Sequence, residues 1–290
     1  MPLTQASICG DPPPAALVRA VLGALPDLAG ENWQPLAGGR SNRVWRLGSV
    51  VVKLYDRAAA SPLFPNDACA EAGALVRLGP HGLAPRLCAA GEGWVCYTHV
   101  AGRPWSGDPA PVAALLAKVH AFSGSGFRQV GSGHAALVGQ GRAMLAACQG
   151  ALPPPPAGDV PPVVRPCLIH GDVVAGNVIA GPQGVMLIDW QCPAEGDAAE
   201  DLAAFLSPAM QMLYRGRVLD SGQQAAFLAA CPPLLAARYR ALAPAFHWRM
   251  AAHCLWKAER GAVDYAAAIA LELAALARSV EANAHEISQI

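Results

Sequence analysis

The hydrophobic period changes once along this 290-residue chain, and the point of change fixes what each part can form. Before Val100-Ala101-Gly102-Arg103-Pro104, apolar residues alternate as strands require, from Trp33 to Leu36, Arg43 to Leu47, Val50 to Tyr55, Arg86 to Ala89 and Trp94 to His99. An amphipathic stretch from Ala15 to Leu25 precedes them, and a helix is expected from Asp67 to Leu78, with Asp67 as N-cap and Gly79-Pro80 as stop. Beyond the break, Pro111 to Phe122, Ala135 to Cys148 and the stretch from Glu200 to Ala282 carry helical spacing. The pattern predicts an α+β chain of two lobes, a small β-rich one over residues 1–100 and a larger helical one over 101–290. The 53% apolar content is enough for a core in each.

Charge narrows the partners. The 21 basic and 21 acidic residues cancel and no run of one sign stands out, so the chain lacks the electrostatic footprint of a nucleic-acid binder or of a protein held on an anionic membrane. Met1 to Asp11 has no basic stretch followed by an apolar core, and charges interrupt the alanine-rich segments well before about 18 residues, so neither secretion nor spanning is expected. Nine cysteines stand singly, without a C-x-x-C pair, and read as small buried hydrophobes in a reducing cytoplasm.

A proline tract from Pro153 to Pro166 delivers the chain into the short apolar run Cys167-Leu168-Ile169. Directly after it stands His170-Gly171-Asp172-Val173-Val174-Ala175-Gly176-Asn177, and twelve residues beyond Asn177, at the end of the apolar run Val185 to Ile188, comes Asp189. Each polar residue alone is ordinary turn chemistry. Together they place two carboxylates and an amide at neighbouring strand ends, the parts phosphoryl transfer requires: a group to orient and deprotonate a hydroxyl, and oxygen ligands to hold Mg²⁺ against phosphate oxygens. Asp172 is the expected base, and Asn177 and Asp189 the expected metal ligands.

Lys53 lies in the apolar strand Val51-Val52-Lys53-Leu54-Tyr55, where a charge is costly unless paired, and Glu71 on the following helix is its natural partner. Such a pair holds an ammonium against the α and β phosphates of a nucleotide. Only three lysines occur against eighteen arginines, so a lysine at this position points to a need for a compact cation. The turn Gly38-Gly39-Arg40-Ser41-Asn42 precedes this strand and reads either as ordinary hairpin chemistry or as a set of backbone N–H groups that close over phosphates, with the glycines permitting close approach.

In this order, Gly38-Gly39 with Asn42, Lys53, Glu71, His170-Gly171-Asp172 with Asn177, Ile188-Asp189-Trp190 and Glu200-Asp201-Leu202-Ala203 resemble the aminoglycoside phosphotransferase and choline kinase family. The resemblance spans roughly residues 33 to 205. It implies a protein-kinase-like bilobal fold that uses ATP and Mg²⁺, with ATP between the lobes and a linker near Tyr97 to Gly102. It further implies that Gly39, Ser41 and Asn42 close on the nucleotide and that Thr98 to Val100 offer main-chain hydrogen bonds to adenine. His170 and Asp201 would hold the catalytic loop in shape. The Gly38 to Asn42 turn and the Ile188-Asp189-Trp190 string resemble the choline, ethanolamine and thiamine kinases. Eukaryotic choline kinases, however, more usually show His-Asn-Asp in the loop and Asp-Tyr at the metal strand, which places this chain among bacterial small-molecule kinases.

The resemblance thus implies as acceptor a small molecule bearing a hydroxyl, first an amino alcohol of the choline, ethanolamine or thiamine type and second an aminoglycoside. For a cationic acceptor the candidates are Trp190, the face of Trp248 and Trp256, and the carboxylates Glu195, Asp197 and Asp264, with core packing as the alternative for the tryptophans. A catalytically silent nucleotide-binding module is a further alternative. A protein kinase fits poorly, because only about ten residues separate Asp189 from the helix expected near Glu200, too few for a peptide-docking segment.

Overall fold

The computed structural model describes residues 11–36 and 41–287, and the side chains of 285–287 are left aside. The chain forms two compact units. The first comprises the described residues up to Arg103 together with Ile179–Pro193, and the second comprises Pro104–Val178 and Ala194 onward.

In the first unit, helix α1 (Ala15–Ala24) precedes strands β1 (Trp33–Pro35), β2 (Asn42–Leu47) and β3 (Val50–Tyr55). Helix α2 (Ala68–Leu78) and strands β4 (Leu87–Gly91) and β5 (Trp94–Thr98) follow. The strands make a five-stranded sheet in the order β1-β2-β3-β5-β4, all pairs antiparallel. β3 is central and buried on both faces. Strand alternation puts Val50 and Val52 on one face, where they pack with Trp45, Leu47, Trp94 and Cys96 against Leu17 and Val21 of α1. Val51, Lys53 and Tyr55 point to the opposite face by the same period.

Helix α2 begins where the sequence predicts, with the Asp67 carboxylate accepting from the N–H groups of Cys69 at 2.8 Å and Ala70 at 3.1 Å. Its buried residues Glu71, Ala74, Leu75 and Leu78 recur at helical spacing, so one stripe carries three apolar side chains and a single carboxylate. After the two-residue strand β6 (Arg103–Pro104), the remaining β structure of this part is the hairpin of β9 (Val178–Gly181) and β10 (Gly184–Leu187), which leads to Asp189.

The second unit is mainly helical. It contains α3 (Ala110–Val119), α4 (His134–Leu145), α5 (Ala199–Leu206), α6 (Pro208–Arg215), α7 (Ser221–Ala230), α8 (Pro233–Ala258) and α9 (Asp264–Ile287). A small sheet in the order β7-β11-β8 joins β7 (Arg128–Gln129), β11 (Ala194–Gly196) and β8 (Cys167–Ile169), and β8 ends at the His170 loop. Helix α4 packs closely against α8 at Gly141, where a Cβ would meet the Trp248 ring at 2.4 Å. No helix among the described residues is long and apolar enough to cross a membrane.

The cysteines depart from expectation. Cys96, Cys192, Cys231 and Cys254 are buried, but Cys69 and Cys88 are exposed. Cys69 lies on the outward side of α2, two positions before Glu71, and Cys88 lies on the edge strand β4, where alternation turns it to solvent.

Candidate functional site

The first unit gathers charge around Lys53. The side chain is 2% exposed, and its ammonium lies 2.6 Å from Glu71 Oε2 while also bonding Asp189 Oδ1. Tyr55, two residues on and on the same strand face, donates its hydroxyl to Glu71 Oε2, and the Lys53 ammonium lies 4.7 Å from the centroid of its ring. Burial alone would lower the Lys53 pKa, but the Asp189 and Glu71 carboxylates outweigh it and hold the group as an ammonium. Glu71 is fully buried with Oε1 unpartnered, and that burial raises its pKa more than Lys53 lowers it. The Tyr55 hydroxyl is pushed well above its usual value by burial and by Glu71, so it stays a donor.

Asp189 is the one described non-glycine residue with positive φ, at 62°. That left-handed conformation is tolerated by Asp better than by most residues, yet it still costs about 1 kcal/mol or more. Its side chain is 29% exposed, and with Oδ1 on Lys53 its second oxygen makes no hydrogen bond among the described residues. The next residues anchor the turn. Trp190 is fully buried and donates to Leu187 O at 3.1 Å, and Gln191 Oε1 accepts from Asn42 Nδ2 at 2.7 Å.

Asn42 is saturated. Its Nδ2 also bonds Asn66 Oδ1 at 2.9 Å, and its Oδ1 accepts from Asn66 Nδ2 at 2.8 Å and from the Asp56 N–H at 3.1 Å. All of its hydrogen-bonding positions are spent inside the protein, so its side chain organises the start of β2. Ser41 stands just before it, half-buried, whereas Gly38, Gly39 and Arg40 lie outside the described residues. At the other end of the sheet, the Thr98 N–H donates to Arg86 O at 2.9 Å and the His99 N–H to Ser49 O at 2.9 Å. Val100 lies one residue past these pairs.

The second unit holds the loop after β8. Gly171, at φ 78°, reverses the chain between His170 and Asp172, a conformation that glycine adopts without strain. The loop is pinned by Asp201 in the first turn of α5. This fully buried carboxylate accepts from the His170 N–H at 2.9 Å, the Gly171 N–H at 2.8 Å and His120 Nε2 at 2.9 Å. Burial would raise the Asp201 pKa, but the hydrogen bond and charge of His120, with the His170 contacts, bring it below the usual carboxylate range.

Inside the loop, His170 Nδ1 accepts from the Asp172 N–H at 3.2 Å, so the imidazole braces the backbone that carries Asp172. Asn177 Nδ2 donates to Asp172 O at 2.9 Å and to Asp172 Oδ2 at 3.2 Å. With its amide nitrogen turned to Asp172, Asn177 Oδ1 is the end left for a ligand.

The other aromatic and acidic candidates are engaged elsewhere. Trp248 is buried and donates to Pro153 O at 2.8 Å, while Arg260 stacks over Trp256 at 4.2 Å. Asp197 pairs with Arg238 at 2.7 Å, and Glu195 accepts from Gln129 at 3.4 Å. Sequence reasoning missed Tyr55, Asn66, Gln191 and His120. For Tyr55 the signal was present, since strand period two places it beside Lys53. For the rest, sequence separations such as 149 between Asn42 and Gln191 give no local signal.

The sequence model of the phosphotransferase enzyme family, which includes the aminoglycoside phosphotransferases, matches residues 32–244. The chain belongs to this family. Solved structures with the same fold include a choline/ethanolamine kinase family protein from Mesorhizobium loti, 18% identical, TM-score 0.63, covering 91% of this chain and 92% of that one. A macrolide 2′-phosphotransferase from Brachybacterium faecium is 20% identical, with TM-score 0.54 and coverage of 89% and 98%. A ternary complex of streptomycin, ATP and the aminoglycoside phosphotransferase APH(2″)-IIa is 14% identical, with TM-score 0.57 and coverage of 85% and 91%. No match reaches significance among curated protein sequences. The fold is thus α+β, as the residue pattern predicted, and protein-kinase-like, as the resemblance implied, and this phosphotransferase-family chain is an enzyme of kinase type.

Proposed function

We propose that this family member is an ATP-dependent kinase that moves the γ-phosphate onto a hydroxyl of a small molecule, with an amino alcohol of the choline, ethanolamine or thiamine type as acceptor. The observation that carries the reading is the Lys53 ammonium, buried and held between Glu71 and Asp189. A cation of such cost in an apolar strand is explained by a polyphosphate that it orients. That one solved neighbour is a complex with ATP supports the nucleotide, and the choline/ethanolamine kinase neighbour together with the Gly38 to Asn42 sequence supports the acceptor class.

Each unit supplies part of the machinery. In the first, Lys53 binds the α and β phosphates, Glu71 and Tyr55 hold Lys53 in place, and Gly39 and Ser41 offer backbone N–H groups. Thr98, its N–H spent on Arg86, offers its carbonyl to adenine, and Val100 offers its N–H. In the second, Asp172 takes the proton of the acceptor hydroxyl, steadied by the Asn177 amide and the His170 brace. Asn177 Oδ1 and the second Asp189 oxygen are hard oxygen donors of the kind Mg²⁺ selects, and few protein ligands suffice because phosphate oxygens and waters complete its shell. Bound there, the ion would neutralise charge developing on the transferred phosphoryl group.

The test is ATP consumption by the purified protein with choline, ethanolamine, thiamine, aminoglycosides, hydroxy amino acids and simple sugars offered singly. Stimulation by an amino alcohol above all others is expected. Stimulation by an aminoglycoside alone would replace the acceptor assignment, and ATP binding without turnover on any acceptor would replace the kinase with a binding module.

A further inference from the structure

A cleft lies within the helical unit, between α8 and α9, with a volume of about 520 Å³. Its walls follow helical period: Tyr239, Ala243 and His247 at i, i+4 and i+8 on α8, and Ala275, Arg278, Ser279 and Ala282 on α9. No residue of the 170–177 loop lines it.

Its origin is in the sequence. Pro244 stands inside α8, has no N–H to give, and crowds the carbonyl four residues earlier, that of Arg240. That carbonyl is taken instead by Asn283 Nδ2 at 3.3 Å, from α9. The proline thus trades a bond within α8 for one across the cleft, and both Arg240 and Asn283 line it.

The chemistry of the lining is one-sided. Arg240 and Arg278 are exposed, and neither forms an ion pair among the described residues. Among the described side chains no aspartate or glutamate lines the cleft. His247 is 8% exposed, and its Nδ1 lies 2.7 Å from Glu272 Oε2. Glu272 is fully buried behind it, its other oxygen accepting from the Ser207 hydroxyl and from the Ala209 N–H at 3.1 Å. Ring orientation is therefore fixed from behind, which leaves Nε2 without a partner among the described residues, on a side chain that lines the cleft.

We propose that this cleft is a binding site for a small organic anion bearing phosphate or carboxylate groups, held by the Arg240 and Arg278 guanidinium groups with His247 Nε2 and the Asn283 amide as further polar contacts. Two unpaired guanidinium groups recognise either anion through paired N–H donors, and the volume lies within the range of small-molecule sites. The cationic acceptors proposed above would be repelled here. The site is independent of that proposal.

The test is titration calorimetry of the full chain with pyrophosphate and, separately, citrate. Saturable binding of at least one is expected, weakened about tenfold or more (about 1.4 kcal/mol) in the double variant Arg240→Gln/Arg278→Gln and weakened less in Arg240→Lys/Arg278→Lys, which keeps the charge but not the paired donors. Both arginines are exposed, so the substitutions leave the core intact. Because pyrophosphate could also meet Lys53, the titration is repeated on Lys53→Met, where binding at the cleft is unchanged. Preference for pyrophosphate or citrate tells a phosphorylated ligand from a carboxylic acid. Absence of binding by both probes, binding indifferent to the double Gln variant, or binding abolished by Lys53→Met would overturn the proposal.

Discussion

Replacing Asp201 by Asn keeps the shape of the side chain and removes its charge. In the native loop one oxygen accepts from the His170 N–H and His120 Nε2, and the other from the Gly171 N–H. An amide placed there must turn its NH₂ toward one of the two backbone N–H groups, whichever way it is flipped, so at least one buried donor faces a donor. Losing a charge-assisted bond costs about 1.5–3 kcal/mol and an unsatisfied buried N–H about 1–3 kcal/mol, so a loss of about 3 kcal/mol, near the lower end of their sum, is expected. For a unit of this size that lowers Tm by roughly 6–12 °C. The pH dependence has a definite sign. A carboxyl whose folded pKa is depressed contributes stability that is present above its unfolded value, about 3.9, and lost as pH falls through the folded value. Thermal unfolding of wild type and Asp201→Asn, followed by calorimetry from neutral pH to below about 4, should therefore show a gap that narrows only in the acid range. A Tm change under about 2 °C at neutral pH, or a gap independent of pH, would refute the assignment of Asp201 as the anchor of the loop.

Tyr55→Phe removes the hydroxyl that bonds Glu71 while leaving the ring beneath Lys53, and should cost about 2 kcal/mol in urea unfolding, since Glu71 already has one oxygen without a partner. A loss under about 0.5 kcal/mol would show that the bond is immaterial. His253 is buried, and that burial lowers its pKa to about 3, so the unfolded chain takes up a proton below about 6.5 that the folded one refuses. Stability should fall with decreasing pH from about 6.5 by as much as ~1.4 kcal/mol per unit, and His253→Gln should remove that slope. An unchanged slope in the variant would contradict the burial argument.

Much of the frame is legible before any coordinates. Val50–Tyr55 and Cys167–Ile169 are strands with the limits the sequence suggests, because each is a compact apolar run bounded by turn residues. Asp67 caps α2 as its position before a helical stripe predicts. The strands β6, β7 and β11 are two or three residues long and carry no period to detect. Within the site, the Lys53–Glu71 pair follows from the cost of an isolated charge in a strand. The Asn42–Asn66–Gln191 amide cluster does not, because amides attract one another only once the fold has brought them together, and a glycine-rich turn gives its asparagine the look of a ligand contact. Trp248 shows the converse limit: helical spacing identifies a face but not what covers it, and here Gly141 and Pro153 do.

The most direct test of the central claim compares wild type and Asp172→Asn for ATP affinity and for acceptor-dependent ADP release with the best acceptor found. Asp172 lies on the helical unit while Lys53 and Asp189 belong to the other, so the account predicts ATP binding within about threefold of wild type and turnover reduced by a factor of at least about 100, within the range for loss of a general base. Turnover retained within tenfold, with ATP bound normally, would contradict Asp172 as the base that receives the acceptor's proton.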